Sequence, residues 1–250
     1  MDLDKTLLND QKEMSQYTAD ILHKCRALDL KTAFATARPE RVTSAFQQLF
    51  QPDFVIANNG GTITQSGDII HNINIPQIMS DSLISTLIAM DGVTCMTVEA
   101  GDCLYTTYRG EPWDTANWNL VYNDLSQPLG VDTPKISVEC VNHAALSECI
   151  ADYPQLHLYF NSGEDWSQVM HIESTKMNAI HHLSGLLSIS IDEVIAFGDD
   201  YNDIEMIETC GQGIAVENAI EAVKQVAKDI CPFNNQDGVA KWLEAHVLMD

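Results

Sequence analysis

The sequence predicts an α/β protein in which a Rossmann-like parallel-sheet core carries an inserted α+β domain. Two observations predict this class. At both ends of the chain, short apolar segments alternate with segments of helical periodicity, which is typical of a parallel sheet with crossover helices. From about residue 76 the pattern changes to closely spaced, strand-like segments, as in a small helix-on-sheet domain. A chain of 250 residues is long enough for a large core and a smaller insert.

The first core segment is expected to cover residues 1–74. Apolar spacing there alternates between the helical and the strand period, and Pro39 stands where the first turn of a helix accommodates proline. Ser66-Gly67-Asp68 provides a tight turn between two strand-like segments. The predicted elements are a helix over 15–28, a strand over 32–35, a helix over 40–50, a strand over 54–57 and a hairpin over 62–64 and 69–73.

The inserted cap domain is expected over 75–169, and the second core segment over 170–250. Because the first pattern returns after Thr175, the core is predicted to be discontinuous. The insert is predicted to contain helices over 79–90 and 143–150 and strands over 94–98, 104–108, 135–141, 156–160 and 168–172. The second core segment is predicted to contain helices over 176–186, 203–208 and 219–228, strands over 194–197 and 214–216, and a last helix after Gly238.

Charge and composition exclude several classes of partner. The chain has 13 Lys and Arg residues against 36 Asp and Glu, a formal net charge of −23. Nucleic acid and anionic membranes bind clustered cations, so neither is an expected partner. No apolar segment approaches the ~20 residues that cross a bilayer, and no signal peptide is evident, so a cytoplasmic protein is expected. The seven cysteines are scattered and never form C-x-x-C, which favours reduced, mostly buried thiols.

Four polar clusters stand where predicted strands end or helices begin, and ligands of open parallel sheets bind at such strand ends. The first cluster is Asp2-Leu3-Asp4-Lys5-Thr6. In an extended segment, Asp2 and Asp4 point to the same side, and two close carboxylates require a cation between them or a proton on one of them. The D-x-D pattern is common by chance, so this cluster alone is weak evidence.

The second and third clusters each allow two interpretations. Thr36, with Arg38 beside it, follows the strand over 32–35. Its hydroxyl and the next backbone N–H groups would form an anion cradle, or Thr36 is an ordinary helix N-cap. Lys176 opens a helix and is one of few cations in this acidic chain. It is either an anion ligand or a solvated lysine of the first helical turn.

The fourth cluster, Gly198-Asp199-Asp200-Tyr201-Asn202-Asp203, follows the apolar strand over 194–197. Glycine permits a sharp turn there, and Asp199 and Asp203 offer the hard oxygen ligands that magnesium prefers. The G-D-x-x-N-D pattern after a buried strand is the most specific of the four signals.

Taken in order, the four clusters resemble the motifs of the haloacid dehalogenase superfamily, and within it those of Cof-type phosphatases with a large inserted cap. The resemblance covers roughly residues 1–73 and 170–250, whereas the cap matches only in position and element types. Weaker similarities lie at Asn59-Gly60-Gly61, in the segment 213–219 and in the segment 237–240. The core is therefore expected to have the fold of this superfamily.

The resemblance implies a role for each residue. Asp2 would be the nucleophile that forms an aspartyl-phosphate, and Asp4 would act as general acid and then general base. Thr36 and Lys176 would complete the catalytic set by holding the phosphoryl oxygens. Substrate binding would involve Thr36, Arg38, Asn59, Gly60, Lys176 and Asn202, and Mg²⁺ would be bound by Asp2, the backbone carbonyl of Asp4, Asp199 and, through water, Asp203.

Two positions depart from the family pattern. Lys5 replaces the usual glycine of D-x-D-G-T, so the backbone there is expected either to be strained by a positive φ or to direct the side chain to solvent. Only Met1 precedes Asp2, where the family has an apolar strand of about five residues. Each backbone group left without a partner would cost ~1–3 kcal/mol. This favours a misassigned or trimmed start, and an inactive relative stays open.

The expected function is Mg²⁺-dependent hydrolysis of a small phosphate monoester, with sugar phosphates as the leading class. The expected partner is a small phosphorylated metabolite, and the expected oligomeric state is a monomer or weak homodimer. Two alternatives stay open: a phosphomutase on the same scaffold, and a catalytically impaired binding or regulatory relative. Release of free phosphate would distinguish the first, and tight binding without turnover would indicate the second.

Overall fold

The computed structural model describes residues 1–110, 118–160 and 165–248 of the chain. The chain divides into two compact units, one formed by Met1–His71 with Thr175–Asp250 and the other by Asn72–Ser174. The sequence predicts these two boundaries after residues 74 and 169, whereas the structure has them after His71 and Ser174. Helices and sheets that contain parallel strands occur together, and the predicted α/β class is confirmed.

The first segment forms a sheet in the order β1-β2-β3-β4, in which β1 and β2 are parallel and β2 and β3 antiparallel. Ser15 caps its first helix, because its side chain accepts a hydrogen bond from the Thr18 N–H group at 3.0 Å. The second helix ends before the predicted residue 50. The elements are α1 (Gln16–Ala27), β1 (Ala33–Ala35), α2 (Glu40–Gln47), β2 (Phe54–Ala57), β3 (Thr62–Gln65) and β4 (Asp68–Asn72).

In its described residues, the inserted unit combines a six-stranded sheet with two helices that share its apolar cluster. The unit contains α3 (Gln77–Ile88), β5 (Val93–Ala100), β6 (Cys103–Thr106), β7 (Leu120–Tyr122), β8 (Ile136–Cys140), α4 (His143–Ala151), β9 (Leu156–Phe160) and β10 (Trp166–His171). Its strands are ordered β7-β6-β5-β8-β10-β9. Alternate residues of β8, Ile136 and Val138, are fully buried and share one apolar cluster with Leu87 of α3 and Leu146 of α4.

The last segment adds a parallel sheet in the order β11-β12-β13. Its elements are α5 (Lys176–Leu187), β11 (Ile195–Gly198), α6 (Ile204–Thr209), β12 (Gln212–Val216), α7 (Glu221–Val226), β13 (Asp229–Cys231) and α8 (Gly238–His246). The predicted helix over 219–228 is wrong at its C-terminal end. The chain leaves the helix after Val226, and the Lys228 N–H group donates to the Gly213 carbonyl at 2.8 Å. This contact leads into the parallel pairing of β13 with β12.

The first two residues lie between β1 and β11. The Met1 amino group donates to the Ala33 carbonyl at 3.0 Å, and the Met1 carbonyl accepts from the Ala35 N–H group at 2.8 Å. On the other side, the Asp2 N–H group donates to the Phe197 carbonyl at 3.0 Å. These bonds bring the side chain of Asp2 to the carboxyl ends of both strands, where parallel sheets bind ligands.

None of the seven cysteines is in a disulfide, and five of them are buried. Burial raises the pKa of the Cys231 thiol to about 12 and that of Cys210 to about 11, which keeps both protonated and unreactive. Within the described part of the chain, no helix combines the length and apolar character needed to traverse a bilayer.

Candidate active site

One lysine and three aspartates form a buried charged cluster. The Nζ atom of Lys176 lies 2.7 Å from Oδ1 of Asp2 and 2.6 Å from Oδ1 of Asp203. Asp2, Asp203 and Asp199 are all buried, and Lys176 is only 1% exposed. Charged side chains are seldom buried this deeply unless they are paired. Lys176 is therefore part of the cluster, and the alternative of a solvated first-turn lysine is excluded.

The lysine is placed by the start of α5. Lys176 is the first residue of this helix, and the N-cap residue Thr175 accepts a hydrogen bond from the Asn178 N–H group on its Oγ1 at 3.0 Å. A well-formed N-cap sets the direction of the first turn, and with it the direction of the side chain that the turn carries. The ammonium group of Lys176 is thereby directed at the carboxylates of the cluster.

The turn after β11 brings Asp199 and Asp203 together. Oδ2 of Asp203 accepts hydrogen bonds from the N–H groups of Asp199 at 2.9 Å and of Asp200 at 3.2 Å. This closure depends on Gly198, since a Cβ atom at that position would stand 2.5 Å from the Cβ atom of Asp203. The missing side chain at Gly198, the glycine of the G-D-x-x-N-D motif, therefore leaves room for Asp203 at the end of the motif.

Burial and charge shift the titration of the cluster. Burial, together with the negative charges of Asp203 and Asp199, raises the pKa of Asp2 well above its ordinary value, although Lys176 opposes the shift. Burial and the charge of Asp203 raise the pKa of Asp199 to about 7. Burial would lower the pKa of Lys176, but the charges and hydrogen bonds of Asp2 and Asp203 outweigh it, so that its pKa is raised. The lysine is thus cationic, and the raised pKa values of Asp2 and Asp199 reflect the cost of holding several negative charges so close together with only one cation beside them.

The donor set fits a divalent metal ion. Carboxylate oxygens of Asp2, Asp199 and Asp203 all lie within 4.8 Å of one another. When ionised, the three carboxylates exceed the single ammonium group by two negative charges, which a divalent cation would neutralise. Oxygen-only donors of this kind suit a hard ion such as Mg²⁺. The carboxylate of Asp4 is outside this group, and its expected metal contact through the backbone carbonyl stays a prediction.

Thr36, Arg38 and Asp4 form a second polar group. Thr36 is buried, and its Oγ1 accepts a hydrogen bond from the Arg38 N–H group at 3.1 Å. The guanidinium group of Arg38 contacts Asp4 through two hydrogen bonds, Nε to Oδ2 at 2.7 Å and Nη2 to Oδ1 at 2.5 Å. The two carboxylates of the D-x-D motif therefore have different partners, because Asp2 pairs with Lys176.

The predicted substrate-binding residues Asn59, Gly60 and Asn202 lie in two facing turns. Nδ2 of Asn202 donates to Oδ1 of Asn59 at 2.7 Å. Asn59 has a φ of 55°, a left-handed conformation that asparagine tolerates better than most residues. The N–H group of Asn59 also donates to the Thr36 carbonyl at 2.9 Å. The turn after β2 therefore links the Thr36 loop to the turn after β11.

Comparison with known proteins identifies the family. The family model for haloacid dehalogenase-like hydrolases matches residues 1–243, which is nearly the whole chain.

The chain belongs to the haloacid dehalogenase-like hydrolases.

Two curated relatives match this haloacid dehalogenase-like hydrolase along nearly their full length. The putative phosphatase YxeH of Bacillus subtilis is 28% identical, over 99% of this chain and 97% of its own. The 5-amino-6-(5-phospho-D-ribitylamino)uracil phosphatase YitU of the same organism is 27% identical, over 98% and 96%. A solved haloacid dehalogenase-like hydrolase from Bacteroides thetaiotaomicron has the same fold, with a TM-score of 0.82 at 23% identity and coverage of 98% and 97%. The predicted superfamily and the enzyme class, a phosphoric monoester hydrolase, are confirmed.

Thr6 and Asn218 were not predicted as site residues, yet both contact the motifs of this hydrolase. Oγ1 of Thr6 donates to Oδ1 of Asp199 at 2.8 Å, which links the first motif to the last. Nδ2 of Asn218 donates to the backbone carbonyl of Lys5 at 2.7 Å. Thr6 is the final residue of D-x-D-x-T, and Asn218 lies in the weakly similar segment 213–219, so both signals were present in the sequence. The contacts themselves join residues about two hundred positions apart and depend on the fold.

Proposed function

We propose that this hydrolase is a magnesium-dependent phosphatase that hydrolyses a small phosphate monoester through an aspartyl-phosphate on Asp2. The observation that carries the proposal is the position of the Lys176 ammonium group, 2.7 Å from Asp2 and buried beside the carboxyl groups of Asp199 and Asp203. Such a site offers a nucleophile, a fixed cation and a set of carboxylate oxygens that suits a divalent ion. Phosphoryl transfer needs positioning and neutralisation of charge more than other chemistry.

In the first step, a carboxylate oxygen of Asp2 forms a bond to phosphorus while the bond from phosphorus to the leaving oxygen breaks. Asp4 donates its proton to that leaving oxygen. In the second step, a water oxygen bonds to phosphorus, the bond to Asp2 breaks, and Asp4 takes the proton of the water. Lys176 stays charged throughout and stabilises the developing negative charge next to Asp2.

The donor set described above supports Mg²⁺ as the cofactor. Asp2, Asp199 and the backbone carbonyl of Asp4 would hold the ion, and Asp203 would hold its waters. When bound, the ion would supply neutralisation of charge on the phosphoryl oxygens. Thr6 would keep Asp199 oriented, since it donates to one oxygen of that carboxylate and leaves the other for the ion.

The proposed substrate class is a sugar phosphate or a similar small metabolite. YitU, one of the relatives, is named as a phosphatase of 5-amino-6-(5-phospho-D-ribitylamino)uracil, a small metabolite whose phosphate is carried on a ribityl group. A net charge of −23 disfavours anionic macromolecules as substrates, so that a small ester is the better fit. By resemblance to the family, the inserted unit Asn72–Ser174 is proposed as the cap that selects the substrate.

The test is turnover of p-nitrophenyl phosphate and of sugar phosphates with and without MgCl₂. We expect metal-dependent release of inorganic phosphate, and Asp2→Asn should lower kcat/KM by ~10³-fold or more, because it removes the nucleophile. The matched control is Asp20→Asn, which changes an exposed aspartate of α1 and should leave activity unchanged. Borohydride reduction during turnover should convert residue 2 to homoserine, as an aspartyl-phosphate requires.

Three outcomes would overturn the proposal. Hydrolysis unaffected by Asp2→Asn would remove Asp2 as the nucleophile. Isomerised hexose phosphate in place of free phosphate would identify a phosphomutase. Tight binding of a phosphate ester without any turnover would identify a binding or regulatory relative.

A further inference from the structure

Arg38 is directed at the carboxylate of Asp4. Its Nε and Nη2 atoms donate to the two oxygens of Asp4, at 2.7 Å to Oδ2 and 2.5 Å to Oδ1. The planar guanidinium group matches a carboxylate in this two-bond geometry, which fixes the orientation of both groups. The side chain of Arg38 is 13% exposed, whereas that of Asp4 is 41% exposed. The arginine is thus the better-anchored partner of the pair.

Three contacts hold Arg38 independently of Asp4. Its N–H group donates to Oγ1 of Thr36 at 3.1 Å, and its carbonyl accepts from the Asn58 N–H group at 3.0 Å. The carbon atom at the centre of its guanidinium group lies 5.2 Å from the ring centre of Phe46 on α2, a cation–π distance. Backbone and side chain are therefore both fixed, so the arginine can orient a more mobile neighbour.

Asp4 needs an external support of this kind. Its backbone is extended, and the next residue, Lys5, turns the chain with a φ of 58°. With 41% of its side chain exposed at such a turn, the carboxylate of Asp4 has room to rotate when Arg38 does not hold it. A general acid must reach the leaving oxygen within hydrogen-bonding distance, and a misplacement of about 1 Å can cost ~10²-fold in rate.

We propose that Arg38 is a positioning residue that orients the Asp4 carboxyl group for proton transfer. The inference rests on the proposed function, in which Asp4 is the general acid and base, and it replaces the expected role of Arg38 in binding substrate. The arginine occupies one lone pair on each oxygen of Asp4. A second lone pair remains on each oxygen to carry the transferred proton.

The experiment compares phosphate esters whose leaving groups differ in basicity. An alkoxide leaving group must be protonated as it departs, whereas p-nitrophenoxide is stable enough to leave without a proton. We expect Arg38→Met to lower kcat/KM for glycerol phosphate ~10–100-fold more than for p-nitrophenyl phosphate. Asp4→Asn should show the same dependence on the leaving group. The inhibition constant of inorganic phosphate should stay unchanged in Arg38→Met, because under this proposal the arginine acts on Asp4 and not on the phosphoryl group.

A double-mutant cycle gives the second readout. If Arg38 acts through Asp4, the variant that carries both Asp4→Asn and Arg38→Met should be no slower on glycerol phosphate than Asp4→Asn alone. Arg38→Lys keeps the charge but lacks the two-bond geometry. Like Arg38→Met, it should lower kcat/KM more for glycerol phosphate than for p-nitrophenyl phosphate. This variant replaces Arg38→Met if the latter does not fold, and Lys24→Met, at an exposed position of α1, is the control for the loss of one charge.

Failure of this inference is distinguishable from failure of the proposed function. If the wild type hydrolyses no ester, the proposed function fails first. If the wild type is active but Arg38→Met slows all esters equally, weakens inhibition by inorganic phosphate and adds to the effect of Asp4→Asn, Arg38 is a phosphate ligand and the inference is wrong.

Discussion

Gly60 and Thr175 approach so closely that a methyl group on the glycine would stand 2.1 Å from the Thr175 carbonyl oxygen and 2.5 Å from its carbon. Thr175 is the N-cap of α5, and the next residue is Lys176. At Gly60 the turn after β2 therefore lies directly against the backbone at the start of the lysine helix. The resemblance assigned Gly60 to substrate binding, and the structure supplies a packing requirement for glycine at the same position.

Gly60→Ala should destabilise the fold and slow turnover. The added methyl group must displace the N-terminus of α5, and the φ of 103° is unfavourable for alanine. Overpacking and a strained φ together should cost ~2–4 kcal/mol of the free energy of unfolding, measured by urea denaturation. Gly67→Ala is the matched control, because Gly67 has a φ of 87° but no atom within 4 Å of the added methyl group. Equal effects of both substitutions would show that the contact with Thr175 does not matter.

Lys176→Met should leave the three buried carboxylates without their cation. Removal of one partner from a buried ion pair typically costs ~3–5 kcal/mol, and we expect a loss of this size in the free energy of unfolding of the metal-free protein near neutral pH. Added MgCl₂ should restore part of the loss, because a divalent ion compensates the same charges. Lys241→Met, at an exposed position of α8, serves as control and should change stability little. A loss no larger than that of the control would contradict the buried pairing.

Asp199→Asn should change how stability depends on pH in metal-free protein. Burial and the charge of Asp203 raise the pKa of Asp199 from 3.8 to about 7. Between these values the folded chain holds a proton that the unfolded chain releases. The stabilisation is therefore complete below about pH 4 and is lost as the pH rises through about 7. As the pH rises through this window, the free energy of unfolding of the variant should increase relative to that of the wild type. The expected change is ~1.4 kcal/mol for each unit of pKa difference.

The measurement for Asp199→Asn is urea denaturation in EDTA at several pH values across the window. Asparagine can still accept the hydrogen bond from Thr6, so the variant removes the charge with little other change. With added Mg²⁺ the wild type should become the more stable of the two proteins, because only the wild type retains the carboxylate proposed to bind the ion. A stability difference that does not vary with pH would mean that Asp199 titrates at its ordinary pKa.

Lys5→Gly should stabilise the protein slightly. Lys5 has a φ of 58°, and this conformation costs a side-chain-bearing residue ~1–2 kcal/mol. The greater freedom of glycine in the unfolded chain offsets ~0.5–1 kcal/mol of this, which leaves a net gain of ~0–1.5 kcal/mol. Thermal or urea unfolding would detect it. Lys224→Gly is the control at a helical position, inside α7, where glycine should lower the free energy of unfolding. If Lys5→Gly lowers it by as much, the backbone at Lys5 is not strained.

Local sequence predicted most elements because each is encoded by the spacing of its own apolar residues. The strands Phe54–Ala57 and Leu156–Phe160 have the predicted bounds. The strand Asp229–Cys231 was not predicted, because three residues that begin with an aspartate show no readable period. Its pairing with β12 defines it, and that partner is known only from the fold.

The sequence by itself determined the superfamily, the α/β class and the set of polar residues proposed for the site, since ordered motifs are a local property of the chain. Only the tertiary structure decided which of these residues meet. It paired Lys176 with Asp2 and Asp203, and it directed Arg38 to Asp4. The reason is physical: contacts between residues as far apart as 2 and 176 depend on how strands and helix starts pack, which no short pattern contains.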